Sequence, residues 1–110
     1  MRIAVPTKGK RKLSNKIADT FSRAPNFTIV TVEDSRILSV DLKPNPSSKL
    51  ERGAGPLAAR FLKDNDIDLL LTSDMGPGAR NILDAFNIEV QLVDKDKTVK
   101  ELVTPYLESC

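Results

Sequence analysis

Within IDLLLT, residues 67–72, three consecutive leucines leave no polar side chain to turn toward water. Successive side chains of a strand point to opposite faces, so this run needs cover on both sides. That requirement points to an inner strand of a parallel sheet with helices above and below it. The flanking segments supply the helices. Gly53-Ala54-Gly55-Pro56 leads into LAARFLKDN, whose Leu57, Ala58, Phe61 and Leu62 fall on one helical face. Pro56 suits the first helical position, where its missing N–H has no intrahelical acceptor anyway. After the leucine run, Ser73-Asp74-Met75-Gly76-Pro77-Gly78 is a strand-to-helix turn, and residues 78–86 turn Ile82, Leu83 and Phe86 inward. IEVQLV, 88–93, alternates as a strand does. Thr98-Val-Lys-Glu101 is a capping box that opens a last helix, with Val99, Leu102, Val103 and Tyr106 as its apolar set; Pro105 should bend or end it.

The first half reads differently. RIAVP, 2–6, is a short strand, and FTIVTVE (27–33) and ILSVDL (37–42) form an antiparallel hairpin through a turn of Asp34-Ser35-Arg36 composition. Between them, 7–16 is too polar to bury, 17–22 is expected to make one helical turn with Ile17 and Phe21 on one side, and Ala24-Pro25 breaks it. Residues 43–52, with two prolines and two serines, form an irregular crossover. The order is β β β α β α β α. Right-handed crossovers then put the N-terminal strand in the centre of a mixed α/β sheet and the hairpin at one edge. At 110 residues the chain is one domain, 1–110.

Composition narrows the chemistry. The chain has no histidine, which excludes His-based triads and His-ligated zinc. No base stands beside a serine or threonine in a form that would activate it, and Ser-x-x-Lys occurs on no helix. Carboxylates do not converge where a two-metal hydrolase needs them. The expectation is a protein without catalysis. One cysteine, Cys110, rules out an internal disulfide and suits a reducing cytoplasm; as thiolate it is the candidate metal ligand. No segment reaches the length of a membrane span, and MRIAVP runs directly into a strand, so no signal peptide is expected.

Charge is uneven. Residues 1–23 hold seven Lys/Arg against Asp19, whereas the remainder holds ten against fourteen acidic groups. A basic end on an acidic body suggests an anionic ligand near the first loop, or a solvated loop and nothing more. Lys8, Lys10, Arg11, Lys12 and Lys16 would suit a nucleic-acid backbone, but no aromatic is interleaved to stack on bases. Nucleic-acid binding by the 8–16 loop is therefore the second reading. The glycine-bearing turns offer a sharper one. Ser73, Asp74, Gly76 and Gly78 lie at the carboxyl end of a parallel strand, where open α/β sheets bind ligands, and unpaired amides at a helix start favour anions. Asp74 has a competing reading as the cap of that helix. Gly53 and Gly55 offer a second helix start, with close backbone packing as the plain alternative.

Several segments stand in one order along the chain: RIAVP, Phe21-Ser-Arg-Ala-Pro25-Asn-Phe27, Asn45-Pro46, Gly53-Ala-Gly-Pro-Leu-Ala-Ala59, Ser73-Asp-Met-Gly-Pro-Gly78, then Phe86-Asn-Ile88 with Thr98-Val-Lys-Glu101. Together they resemble the dinitrogenase iron–molybdenum cofactor biosynthesis family, small single-domain nitrogenase accessory proteins, over nearly the whole chain. The resemblance implies a ribonuclease-H-like α/β/α fold with a five-stranded mixed sheet. It also implies a carrier or chaperone of an iron–sulfur-type or iron–molybdenum-type metallocluster, working with partner proteins of cofactor assembly. This chain departs from the family where members often carry histidine: it has Asp19-Thr20-Phe21-Ser22 and Glu51-Arg52 instead. Cluster capture here is expected to rest on Arg23, Arg52 and the amides near Gly55 and Gly76, with loops 19–25, 51–55 and 73–78 meeting over one rim of the sheet.

Overall fold

Five strands form one sheet in the order β3-β2-β1-β4-β5: β1 (Arg2–Thr7), β2 (Asn26–Glu33), β3 (Arg36–Pro44), β4 (Leu69–Thr72) and β5 (Glu89–Leu92). A computed structural model describes residues 1–50 and 52–107. Cys110, the expected metal ligand, lies outside the described residues. β2 pairs antiparallel with β1 and β3, while β4 runs parallel to β1 and to β5. The N-terminal strand is central and the hairpin β2–β3 occupies one edge, as the element order requires.

Helices α1 (Ala54–Asp64) and α2 (Pro77–Ala85) cover one face, and α3 (Val99–Val103) covers the other. Alternation along the strands feeds both cores. Ala4 and Leu70 enter the α1–α2 side together with Phe27, Ile29, Ala58, Ala59, Leu62 and Leu83. Ile3, Val5, Leu69 and Leu71 enter the other side with Val30, Val99, Leu102 and Val103. The three leucines are each 1% exposed or less, so the run is apolar because both of its faces are core. The result is the three-layer α/β/α arrangement.

Three local expectations need correction. Residues 17–22 make no helical turn: Ile17 forms an antiparallel bridge with Thr7, and Lys16 forms one with Thr98. Ile17 and Phe21, which a helix would place on one face, are buried in opposite cores. On α1, Leu57 is 38% exposed, and Ala59 takes its place in the core beside Ala58 and Leu62. The same helix starts two residues earlier than Pro56, which is still inside the first turn where no intrahelical acceptor awaits an N–H. The C-terminal part behaves as its sequence indicates. Thr98 and Glu101 cap each other reciprocally, and α3 passes into a 3-10 turn, Thr104–Tyr106, at Pro105.

Candidate functional site

Parallel pairing puts the carboxyl ends of β1, β4 and β5 on one rim of the sheet. The antiparallel partners bring the start of β2 and the end of β3 to the same rim, since Thr7 faces Asn26 and Asn26 faces Pro44. The connections that leave these strand ends therefore lie there, among them 8–25, the 45–53 crossover into α1, and 73–76 into α2. These segments meet around a cleft of about 260 Å³ lined by Thr20, Phe21, Ser22, Gly55, Asp74, Met75, Gly76 and Ala79. A cavity of about 320 Å³ at the opposite rim is larger, but it is made of the turns before β4 and β5, with Lys63 stacked 4.5 Å over the Phe86 ring. Open α/β sheets bind ligands at the carboxyl ends of their strands, so the smaller cleft is the candidate.

Its walls are held by buried polar side chains. Asn45, 3% exposed, donates from Nδ2 to the carbonyls of Ser22 (3.1 Å) and Ala24 (2.9 Å). Its Oδ1 accepts from the Ser47 amide at 3.0 Å and the Ser47 hydroxyl at 2.8 Å. Ser47 Oγ also lies 2.6 Å from the Ser22 carbonyl, and the Asn45 amide bonds the Pro25 carbonyl. The crossover is thus stitched to the 22–25 turn, and the turn carries Phe21 and Ser22 into the cleft. On the far side, Ser73 Oγ donates to the Ala18 carbonyl at 3.3 Å and Thr72 Oγ1 to the Asp74 carbonyl at 3.1 Å. Nothing local in Asn45-Pro46-Ser47-Ser48 signals this role, because the partners lie more than twenty residues back.

Two helix starts open onto the cleft. Neither Gly53, the N-cap of α1, nor Gly76, the N-cap of α2, provides a side-chain cap. Pro56 and Pro77 remove one donor from each first turn, and the remaining amides include those of Gly55, Gly78 and Ala79. The positive ends of both helix dipoles lie beside the cleft. Asp74 does not cap α2: its carboxylate accepts the Met75 N–H at 2.9 Å, one residue on. Gly53 adopts φ +72, a left-handed conformation that favours glycine.

Of the residues singled out from sequence, Gly55, Asp74 and Gly76 line the cleft. The others stand around it. Gly53 and Gly78 are exposed in the two helix starts. Ser73 faces Ala18. Arg23 is exposed, its Nε donating to the Leu50 carbonyl at 3.1 Å, and Arg52 is exposed before α1. Thr20, Phe21, Ser22, Met75 and Ala79 are lining residues not selected individually from sequence, although Thr20, Phe21, Ser22 and Met75 stood inside its loops 19–25 and 73–78. Segments 7–25, 45–53, 73–78 and 93–98 together carry ten Lys/Arg against five Asp/Glu, so the rim is basic in sequence, although among the described residues no cation lines the cleft itself. Among the described residues no three His, Cys, Asp or Glu side chains are grouped as metal ligands.

The sequence pattern of the family described as dinitrogenase iron-molybdenum cofactor matches residues 1–109. An uncharacterized protein of Methanocaldococcus jannaschii is 22% identical over 108 residues, which span 98% of this chain and 86% of that protein. The apo form of the orange protein from Desulfovibrio gigas superposes with a TM-score of 0.86 at 31% identity, over 96% of this chain and 86% of that one. A putative NifB protein from Thermotoga superposes with a TM-score of 0.77 at 28% identity, over 96% and 85% of the two chains.

Proposed function

We propose, from the premise that this chain belongs to the dinitrogenase iron–molybdenum cofactor family, that it is a non-catalytic carrier whose rim cleft holds an anionic metallocluster as cargo. The observation that carries this reading is the composition of the cleft. Backbone amides of two uncapped helix starts face a floor of Phe21, Met75 and Ala79. Amide donors and helix dipoles attract an anion. The apolar floor and a polarizable thioether suit a large, soft surface such as bridging sulfide better than a small oxyanion.

The donor set decides how such cargo is held. With no histidine in the chain and no grouped carboxylates or thiolates among the described residues, the cleft offers hydrogen bonds rather than metal ligation. An intact cluster would be gripped through its outer atoms by the amides near Gly55, Gly76 and Gly78, and drawn in by the basic rim, Arg23 and Arg52 included. Cys110 remains the one thiolate available to the sequence. The fold shared with the apo form of the orange protein supports this reading. Among the described residues no helix is long and apolar enough to cross a membrane. We place the protein in the cytoplasm, exchanging cargo with proteins of cofactor assembly.

The test is anaerobic incubation with ferrous iron, sulfide and molybdate, followed by gel filtration, absorbance and metal analysis. Metal and sulfide should elute with the protein. Gly76→Asp should abolish that uptake with the fold intact, because its carboxylate takes the α2 amides that the anion would use and a Cβ at Gly76 meets nothing within 4 Å. Elution without metal, or undiminished loading of Gly76→Asp, refutes the cleft as the cargo site. Loading that survives Arg23→Ala with Arg52→Ala refutes the part assigned to those guanidinium groups.

A further inference from the structure

Next to the cleft, the loop after β1 exposes Lys8, Lys10, Arg11, Lys12 and Lys16. A run of like charges on a free loop would flex and spread apart. This one is fixed. Asn15, 3% exposed, and Asn26, 9% exposed, both donate from Nδ2 to the Gly9 carbonyl, at 2.9 and 2.7 Å. Asn15 Oδ1 accepts the Arg11 amide at 3.0 Å, and the Asn15 carbonyl accepts the Val99 amide at 2.9 Å, which ties the loop to the start of α3. Lys16 bridges to Thr98. A Cβ on Gly9 would come within 2.8 Å of Asn15 Oδ1, and Lys12 is held at φ 55. Lys8 pairs with Asp19 at 3.0 Å; among the described residues Lys10, Arg11, Lys12 and Lys16 have no carboxylate partner. The fold therefore fixes the backbone beneath four cations that have no carboxylate partner, a concentration of like charge that favours an anionic surface coming to meet them.

We infer that loop 8–16 is a preformed docking platform for an acidic protein surface, whose carboxylates pair with Lys10, Arg11, Lys12 and Lys16. Protein carboxylates fit better than nucleic acid for three reasons. No aromatic is presented on the loop: Phe21, Phe27, Phe61 and Phe86 belong to one core and Tyr106 packs against the other, so bases have nothing to stack on. Asp19 pairs with Lys8, and Lys95, which stands between Asp94 and Asp96 in the sequence, is near enough to Asp19 to influence its ionisation, so carboxylates interrupt any continuous phosphate track. A loop locked by buried asparagines suits a folded partner, because little ordering remains to be done on contact. Asp19, paired with Lys8, directly precedes Thr20 of the cleft wall, so a partner on the platform sits at the lip of the cleft. The inference stands on charge and loop geometry and does not depend on what the cleft holds.

Fluorescence anisotropy with the full chain at about 0.15 M salt tests it. The two labelled probes carry equal charge: a helical peptide of glutamate and alanine, and an oligothymidylate single strand. The peptide should bind more tightly than the oligonucleotide, and more weakly as salt rises. Lys10→Gln with Arg11→Gln and Lys12→Gln should weaken it by about tenfold or more. Inserting Gly-Gly between Lys12 and Leu13 keeps every charge and frees the loop, and should weaken it by about threefold or more. An unbound peptide, a tighter oligonucleotide, or a triple variant that binds as the parent does overturns the inference. Undiminished binding by the Gly-Gly variant overturns the preformed geometry.

Discussion

Removing the carboxamide of Asn45 is the most informative single change to the scaffold of the cleft. In Asn45→Ala, the Ala24 carbonyl loses its 2.9 Å bond and the Ser47 amide loses its 3.0 Å bond. Ser22 keeps the Ser47 hydroxyl at 2.6 Å, so its carbonyl stays satisfied. Two buried backbone groups are thus orphaned, at about 1–3 kcal/mol each before water enters, and the truncated side chain leaves a small void. The expected loss is about 2–4 kcal/mol, a large part of the ~5–15 kcal/mol of a typical domain. For a chain of this size that lowers Tm by roughly 8–16 °C. Urea denaturation supplies the free energy and calorimetry the shift, with Ser47→Ala as a control that should cost only about 1 kcal/mol. Hydrogen exchange should accelerate at 22–25 and 45–48 before it does in β1 and β4. A loss below about 1 kcal/mol would mean that water replaces the carboxamide freely and that the stitch does not shape the cleft.

Gly53→Ala tests backbone conformation alone, because φ is +72 and an added Cβ meets nothing within 4 Å. It should cost about 1–2 kcal/mol by urea denaturation, and Gly53→Asn clearly less. Tyr106 is the only tyrosine, so the near-ultraviolet phenolate band reports it alone. Burial, then the charge of Glu89, hold its ionisation above the ordinary 10.0. The protonated phenol is the favoured native form, so its share of stability is full below 10.0 and is lost as pH climbs through the raised value. Glu89→Gln should bring the midpoint partway down in a spectroscopic titration. The hydrogen bond and charge of Lys8 hold Asp19 below the usual 3.8, so its contribution is present above 3.8 and is lost as pH falls through the lowered value. Lys8→Met should return the midpoint of Asp19 toward 3.8 in a carboxyl NMR titration, and about 1 M salt should do much the same.

The readable parts of this fold were those that neighbours in sequence control. The leucine run of β4, the β-branched hairpin, the reciprocal cap of Thr98 and Glu101 and the stop at Pro105 each involve residues a few positions apart. Strand order puts the turn before α2 at the carboxyl rim, and Gly55, Asp74 and Gly76 of the expected site line the cleft there. The residues 17–22 failed for the opposite reason. Helical spacing of Ile17 and Phe21 was present, but bridges from Lys16 and Ile17 to Thr98 and Thr7 claimed the backbone.

Local pattern and element order alone thus determined the layers, the central first strand and the basic, glycine-bearing rim, because short-range sterics and the alternation of apolar side chains set them. Tertiary contact decided which side chains face the cleft, that Leu57 points outward, and that Asn15, Asn26, Asn45 and Ser47 are fasteners rather than loop polarity. A buried amide declares its purpose only through a carbonyl that chain folding delivers to it from far along the sequence.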